Sequence, residues 1–200
     1  MAALHSSVHV QLDDRDSWRQ WLESNHATST GVWLVSWRRS SGRQGMEYEA
    51  SIEEALCFGW IDGQAAGVDK ELSKLYFAPR KPRSAWARTN KARVERLLRA
   101  GRMAPAGIAA LERAKANGSW EILDSADRLE VPSDLAAALD ARPPARDVWE
   151  AFPRSVKHGL LAWIAFARRD DTRQRRIETT AAAAQRNERA NQPRTANPGP

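Results

Sequence analysis

The sequence predicts an α+β fold: an N-terminal mixed domain with a small, mostly antiparallel sheet packed by helices, followed by a small all-helical unit. Three observations carry that prediction. Val32-Trp33-Leu34-Val35-Ser36-Trp37 is apolar on both alternating faces for most of its length, which suits a strand covered on two sides. Two further extended runs, 64–69 and 72–78, flank the polar turn Asp69-Lys70-Glu71. After Pro132 only helical patterns remain.

The elements follow in order. Residues 8–12 alternate weakly and suit a short first strand. Asp16 or Ser17 caps a helix beginning near Trp18, and Trp18, Trp21 and Leu22 share one face of it. The strand over 32–37 belongs near the middle of the sheet, with Trp33, Val35 and Trp37 buried beneath the helices around Trp18 and Trp86. A polar turn with two glycines covers 38–45, and 46–49 is briefly extended. Ser51 with Glu54 makes a capping box and places a helix start at Ser51; Gly59 stops that helix. Pro79 and Pro82 exclude helix from 79–83. Ser84 is an N-cap for a helix over 85–100 with Trp86, Val94, Leu97 and Leu98 inward. Pro105 opens another, ended by Asn117-Gly118.

The expected organisation is an α+β domain over 1–118, a linker over 119–131 without periodicity, a helical unit over 132–187, and a disordered tail over 188–200 rich in Asn and Pro. Ser133 caps the first helix of the second unit. Pro153 ends another near 147–152, the apolar helix 155–168 buries Leu160, Trp163 and Ile164, and Asp171-Thr172 opens a basic last helix.

Composition narrows the function. The 200 residues carry 42% hydrophobic side chains and nine Trp, ample for a core. A net charge of +6 favours acidic partners, although a basic balance also serves solubility alone. With Cys57 alone no intrachain disulfide forms. His5, His9, His26 and His158 are too scattered for a zinc cluster, so neither metal nor cofactor is expected. The N-terminus has no signal-peptide pattern, and the longest apolar stretch, 159–167, is too short to span a bilayer. A cytoplasmic location without membrane insertion is expected.

Candidate binding residues concentrate in two strings. Gly59-Trp60-Ile61-Asp62-Gly63 sets Asp62 on a turn between two glycines, where it either ties backbone amides or meets Arg80, Arg83 or a ligand. Pro79-Arg80-Lys81-Pro82-Arg83-Ser84-Ala85-Trp86 puts three cations before an expected helix start, where free amides attract anions and Trp86 offers a stacking wall. An Arg-rich loop paired with Glu53, Glu54 and Asp62 explains the same residues without a ligand. Arg169, Arg173 and Arg176 share a helical face that could meet nucleic-acid phosphates, or serve as a solvated face diluted by Asp170 and Asp171. Cys57, between Leu56 and Phe58, reads as a small core side chain.

Three stretches resemble the YdeI/OmpD-associated family: 53–63, the string 76–86 with its continuation through 93–107, and the helical unit from Val131-Pro132 to Ile177. The resemblance runs from about residue 15 to residue 187. It implies a family largely without an assigned reaction, with some members linked to bacteriocin or antimicrobial-peptide protection and to an outer-membrane porin. Two features depart from its pattern: Ala65 and Ala66 stand where a basic residue is usual, and the Pro-rich tail is extra. The expected function is a small binding protein for an anionic or aromatic ligand, or for a protein partner, near Trp60, Asp62, Arg80, Lys81, Arg83, Ser84 and Trp86. Alternatives are an enzyme using Asp62, Glu53 or Glu54 as acid or base, and a nucleic-acid-associated regulator.

Overall fold

Strands β1 (Val8–Gln11), β2 (Val32–Trp37), β3 (Trp60–Gly67) and β4 (Leu72–Pro79) form one sheet in the order β1-β2-β4-β3. The structure is a computed structural model that describes residues 8–191, and its contacts divide the chain into residues 1–120 and 121–200. β1 runs parallel to β2, while β4 is antiparallel to both β2 and β3. The first unit is thus a mostly antiparallel sheet with helices α1 (Arg15–Asn25), α2 (Tyr48–Cys57), α3 (Arg88–Arg99) and α4 (Pro105–Ala116), and the α+β class holds.

One face of the sheet packs on helices. Val32, Leu34, Phe77 and Trp60 share a core with Trp18, Leu22, Leu56, Trp86 and Leu97. β2 is interior, as its pattern requires, but its helix-facing side chains are Val32 and Leu34. Trp33 lies against His9, Tyr76 and Lys74 on the opposite face. A strand apolar on both faces does not reveal which face meets the helices, and the expectation chose the other one.

Three helix starts differ from expectation. α1 begins at Arg15 and its cap is Asp14, whose carboxylate accepts from the Ser17 amide and hydroxyl. α2 begins at Tyr48, so Ser51 sits inside its first turn; the Ser51 hydroxyl donates to the Tyr48 carbonyl, and the Ser51 carbonyl accepts from Trp18 Nε1. α3 begins at Arg88 after Ala87, with no side-chain cap. Ser84 instead closes a turn: both its amide and its hydroxyl donate to the Lys81 carbonyl. Trp86 is 2% exposed, and no helix forms before Arg88 while its indole enters the core. Ser favours turns as readily as caps, so it cannot date a helix start to within a turn.

α2 and α4 meet backbone to backbone. The Ala104 amide donates to the Cys57 carbonyl, and a Cβ on Gly107 would lie 2.1 Å from that same oxygen. Gly107→Ala is therefore expected to lower stability by about 1–3 kcal/mol, read as a shifted urea midpoint. An unchanged midpoint would mean that the two helices part freely.

In the second unit, α6 (Ser133–Asp140), α7 (Ala145–Ala151), α8 (Arg154–Ala165) and α9 (Asp170–Gln185) bury Leu135, Leu139, Trp149, Leu160, Leu161, Ile164 and Ile177. Trp163 is half-buried against this core, under the Arg176 guanidinium. The stretch 119–131 is not a plain linker. Asp124–Asp127 forms the short helix α5, and Ala126 enters the helical core. One turn is too short to show a period. The tail expected over 188–200 lies outside the described residues from 192 onward. Within its first part, Ala190 is 6% exposed and the Glu188 amide donates to the Ala183 carbonyl, after Asn187 turns the chain at φ 56°.

Candidate functional site

The residues singled out around 60–86 do not converge on a helix N-terminus. Trp60 is a core side chain, 1% exposed, with its indole nitrogen donating to the His26 carbonyl at 3.3 Å. Trp86 is also core and packs on Trp120 at 5.2 Å. Arg80 turns inward. Its guanidinium lies 3.8 Å over the Trp86 ring and donates to the Ala85 carbonyl at 2.7 Å, while Nε has no acceptor among the described residues. Burial lowers the Arg80 pKa to about 10, and the nearby Asp62 charge opposes that fall. Lys81 and Arg83 are exposed, and Ser84 is spent on the turn. Asp62 accepts from the Tyr48 hydroxyl at 3.3 Å, within a β3 segment whose register with β4 slips between Asp62 and Ala65.

Glu53 and Glu54 pair with arginines, but not with those of the 80–83 loop. Glu54 is fully buried. Its Oε1 accepts from Arg15 at 2.5 Å and Arg102 at 2.6 Å, and its Oε2 from Arg19 at 2.9 Å. Glu53 accepts from Arg15 and Arg96, and Glu49 from Arg93 and Arg96. Helical spacing puts 49, 53 and 54 on neighbouring positions of α2, and the arginines arrive from α1, α3 and the turn after α3. The sequence shows the Glu53-Glu54 pair but not its partners, which lie 35 to 48 positions away for Glu54. This network pins three helices together.

Cys57 lies beside that network. Burial, reinforced by the Glu54 charge, pushes its thiol up to about 11 against the pull of Arg19 and Arg102. It is therefore a neutral thiol at physiological pH. In the native protein at neutral pH, Cys57 should resist a thiol-reactive dye and become reactive only on unfolding. Rapid labelling of the folded chain would contradict its place in the core.

A concave feature of the first unit lies elsewhere, where the helix face of the sheet runs past the N-terminus of α2. A cavity of about 420 Å³ is lined there by Leu34 and Ser36 of β2, Met46, Tyr48 and Ser51, Ala65 and Gly67 of β3, and Ser73 and Leu75 of β4. Its size falls within the range of small-molecule sites. The floor is apolar. The Ser36 hydroxyl accepts from the Met46 amide at 2.7 Å, which ties the 38–47 loop to the end of β2. Tyr48 is 58% exposed at the rim, with its hydroxyl held toward Asp62. Burial and the Asp62 charge both raise the Tyr48 pKa, so its hydroxyl is a donor rather than a base. Sequence inspection missed this cavity, because its walls are small or unremarkable residues from four separated segments. None of the candidate site residues lines it, and Asp62 reaches its rim only through the Tyr48 hydroxyl.

A second cavity of about 430 Å³ adjoins the first and shares Trp37, Arg38, Met46, Tyr48 and Ser73 with it. In the helical unit a groove of about 420 Å³ lies among Ile122, Val131, Leu161, Ile164 and Arg173. The basic face of α9 is largely engaged. Arg169 pairs with Asp171, Arg173 with Asp134, and Arg176 donates to the Trp163 carbonyl. Among the described residues no cluster of His, Cys, Asp and Glu could hold a metal ion, and no helix is long and apolar enough to cross a membrane. His5 lies outside the described residues.

Two family models match the chain. Residues 10–110 match a domain of unknown function (DUF8412), and residues 128–187 match a family described as bacteriocin-protection, YdeI or OmpD-associated. The stretches 53–63 and 76–107 thus fall within the first match and the helical stretch within the second. No curated protein and no solved structure matches the chain.

Proposed function

The chain belongs to the family of that domain of unknown function and ends in a unit of the bacteriocin-protection, YdeI or OmpD-associated family, and on that premise we propose that it is a small binding protein whose ligand enters the cavity between β2, β3, β4 and α2. The cavity itself carries the proposal: an apolar floor of Leu34, Met46 and Leu75 with Ser36, Tyr48, Ser51 and Ser73 around it. That mixture suits a ligand with an apolar body and a few polar contacts. The protein acts in the cytoplasm, where a chain with one cysteine needs no disulfide. Protection against bacteriocins, the role in the second family's description, is compatible with a binder and adds no residue to the site.

The alternatives draw less support. An enzyme would need a free acid or base, yet Glu53 and Glu54 are committed to arginines and Asp62 to Tyr48. A nucleic-acid regulator would need a free basic stripe, and Arg169 and Arg173, two of its three arginines, are already paired.

Ala65→Trp tests the proposal. Ala65 is an exposed edge-strand residue that lines the cavity, so a larger side chain fills the space without entering the core. Phenylnaphthylamine, a neutral probe that fluoresces in apolar surroundings, should bind the native chain and lose at least about tenfold in affinity in the variant. Equal binding in both would remove the cavity from the account.

A further inference from the structure

We propose that the occupant of this cavity is an amphipathic anion, with its apolar body on Leu34, Met46 and Leu75 and its charged head between Arg38 and Arg43. The inference rests on the cavity being the binding site and adds the chemical class of the ligand.

The two adjoining cavities differ in character. The inner one has the apolar floor and the serine hydroxyls, while the outer one is bounded by Arg38, Arg39, Arg43, Gln44 and Glu47. Three cations therefore face one carboxylate, and Glu47 is already paired with Arg39 at 3.2 Å. Arg38 and Arg43 have no carboxylate partner among the described residues. Arg43 lies 4.2 Å over the Trp37 ring, and Arg38 Nε donates to the Leu72 carbonyl at 3.0 Å. Both guanidinium groups are thus positioned by contacts other than ion pairs, and the Asp69 carboxylate is near enough to feel the Arg38 charge without bonding to it. Binding then costs little ordering of these two side chains.

Arg38 reaches Gly67 of β3. A Cβ at that position would lie 2.9 Å from an Arg38 terminal nitrogen, so the guanidinium rests across the end of β3. The segment behind the arginines is also tied down. The Arg38 amide donates to the Glu71 carbonyl at 2.7 Å, and the Ser41 amide and hydroxyl both donate to the Arg38 carbonyl. Fixed donors beside an apolar cavity match a carboxylate, sulfonate or phosphate attached to a hydrocarbon or aromatic body. A purely polar anion leaves the floor unused, and a neutral apolar molecule leaves the two charges unanswered.

A matched pair of probes separates the classes. Anilinonaphthalene sulfonate and phenylnaphthylamine share one aromatic body and differ by the anionic group. The native chain should bind the sulfonate at least about tenfold tighter at low salt, with the margin shrinking as salt rises. The double variant Arg38→Gln, Arg43→Gln should erase that margin, so that the two probes then bind alike. Ala65→Trp should weaken both probes together. If the neutral probe is displaced by Ala65→Trp yet binds as well as the sulfonate, the anion assignment is overturned while the cavity stands. If Ala65→Trp leaves both probes unaffected, the cavity itself is not the site and both ideas fall. A sulfonate preference that survives the arginine double variant overturns the assignment to Arg38 and Arg43.

Discussion

Glu54→Gln should destabilise the first unit by about 3–5 kcal/mol, the cost of removing one partner from a buried ionic network. Glu54 is 0% exposed, and its two oxygens accept from Arg15, Arg19 and Arg102. Glutamine preserves the shape but deletes the charge, leaving three guanidinium groups converging on a neutral amide. Its side-chain NH2 would also point at a donor. The three arginines remain partly open to water, which softens their repulsion but does not restore the lost acceptor. Urea unfolding followed by Trp fluorescence reads the effect. Glu47→Gln is the control, since the Arg39–Glu47 pair lies in the open and should leave the midpoint in place. A Glu54→Gln midpoint equal to that of the native chain would mean that the network is ornamental.

Trp18→Ala should be of similar size, again about 3–5 kcal/mol, through loss of buried area and the cavity left behind. Trp18 is 0% exposed, lies 5.3 Å from the Trp21 ring and 5.2 Å from that of Phe77, and donates through Nε1 to the Ser51 carbonyl at 3.0 Å. It therefore joins α1, the sheet and the first turn of α2. That turn is also one wall of the cavity proposed to bind the ligand, so the variant should lose probe binding together with stability. Trp18→Phe, which keeps an aromatic ring and gives up the hydrogen bond, should recover part of both. A variant that unfolds like the native chain would show that α1 packs on the sheet by some other contact.

How much of this was legible beforehand depends on the kind of signal. Long apolar periodic runs spoke clearly: β2, α4 and α8 fall close to where 32–37, 105–116 and 155–168 predict them. Serine-based starts did not. Ser51 and Ser84 satisfy capping patterns, yet one lies inside its helix and the other in a turn. The choice of buried face on β2 was unreadable for a simpler reason, since Trp33 and Leu34 are both buried. The site was harder still. Arg80 and Trp86 stand out by type, but the structure stacks one on the other within the unit. The cavity is built from Ser36, Ala65 and Ser73, residues that carry no chemical flag of their own and meet only because β2, β3 and β4 are neighbours. Arg38 and Arg43 lay in what read as a polar turn, and their unpaired state depends on contacts that spacing cannot give.

The most direct test of the binding claim is amide chemical-shift mapping of the full chain titrated with phenylnaphthylamine. Saturable shifts are expected at Ser36, Met46, Tyr48, Ala65 and Ser73, the residues around the cavity. Shifts confined to the groove of the helical unit near Leu161 and Ile164, or to the 80–86 loop, would contradict it.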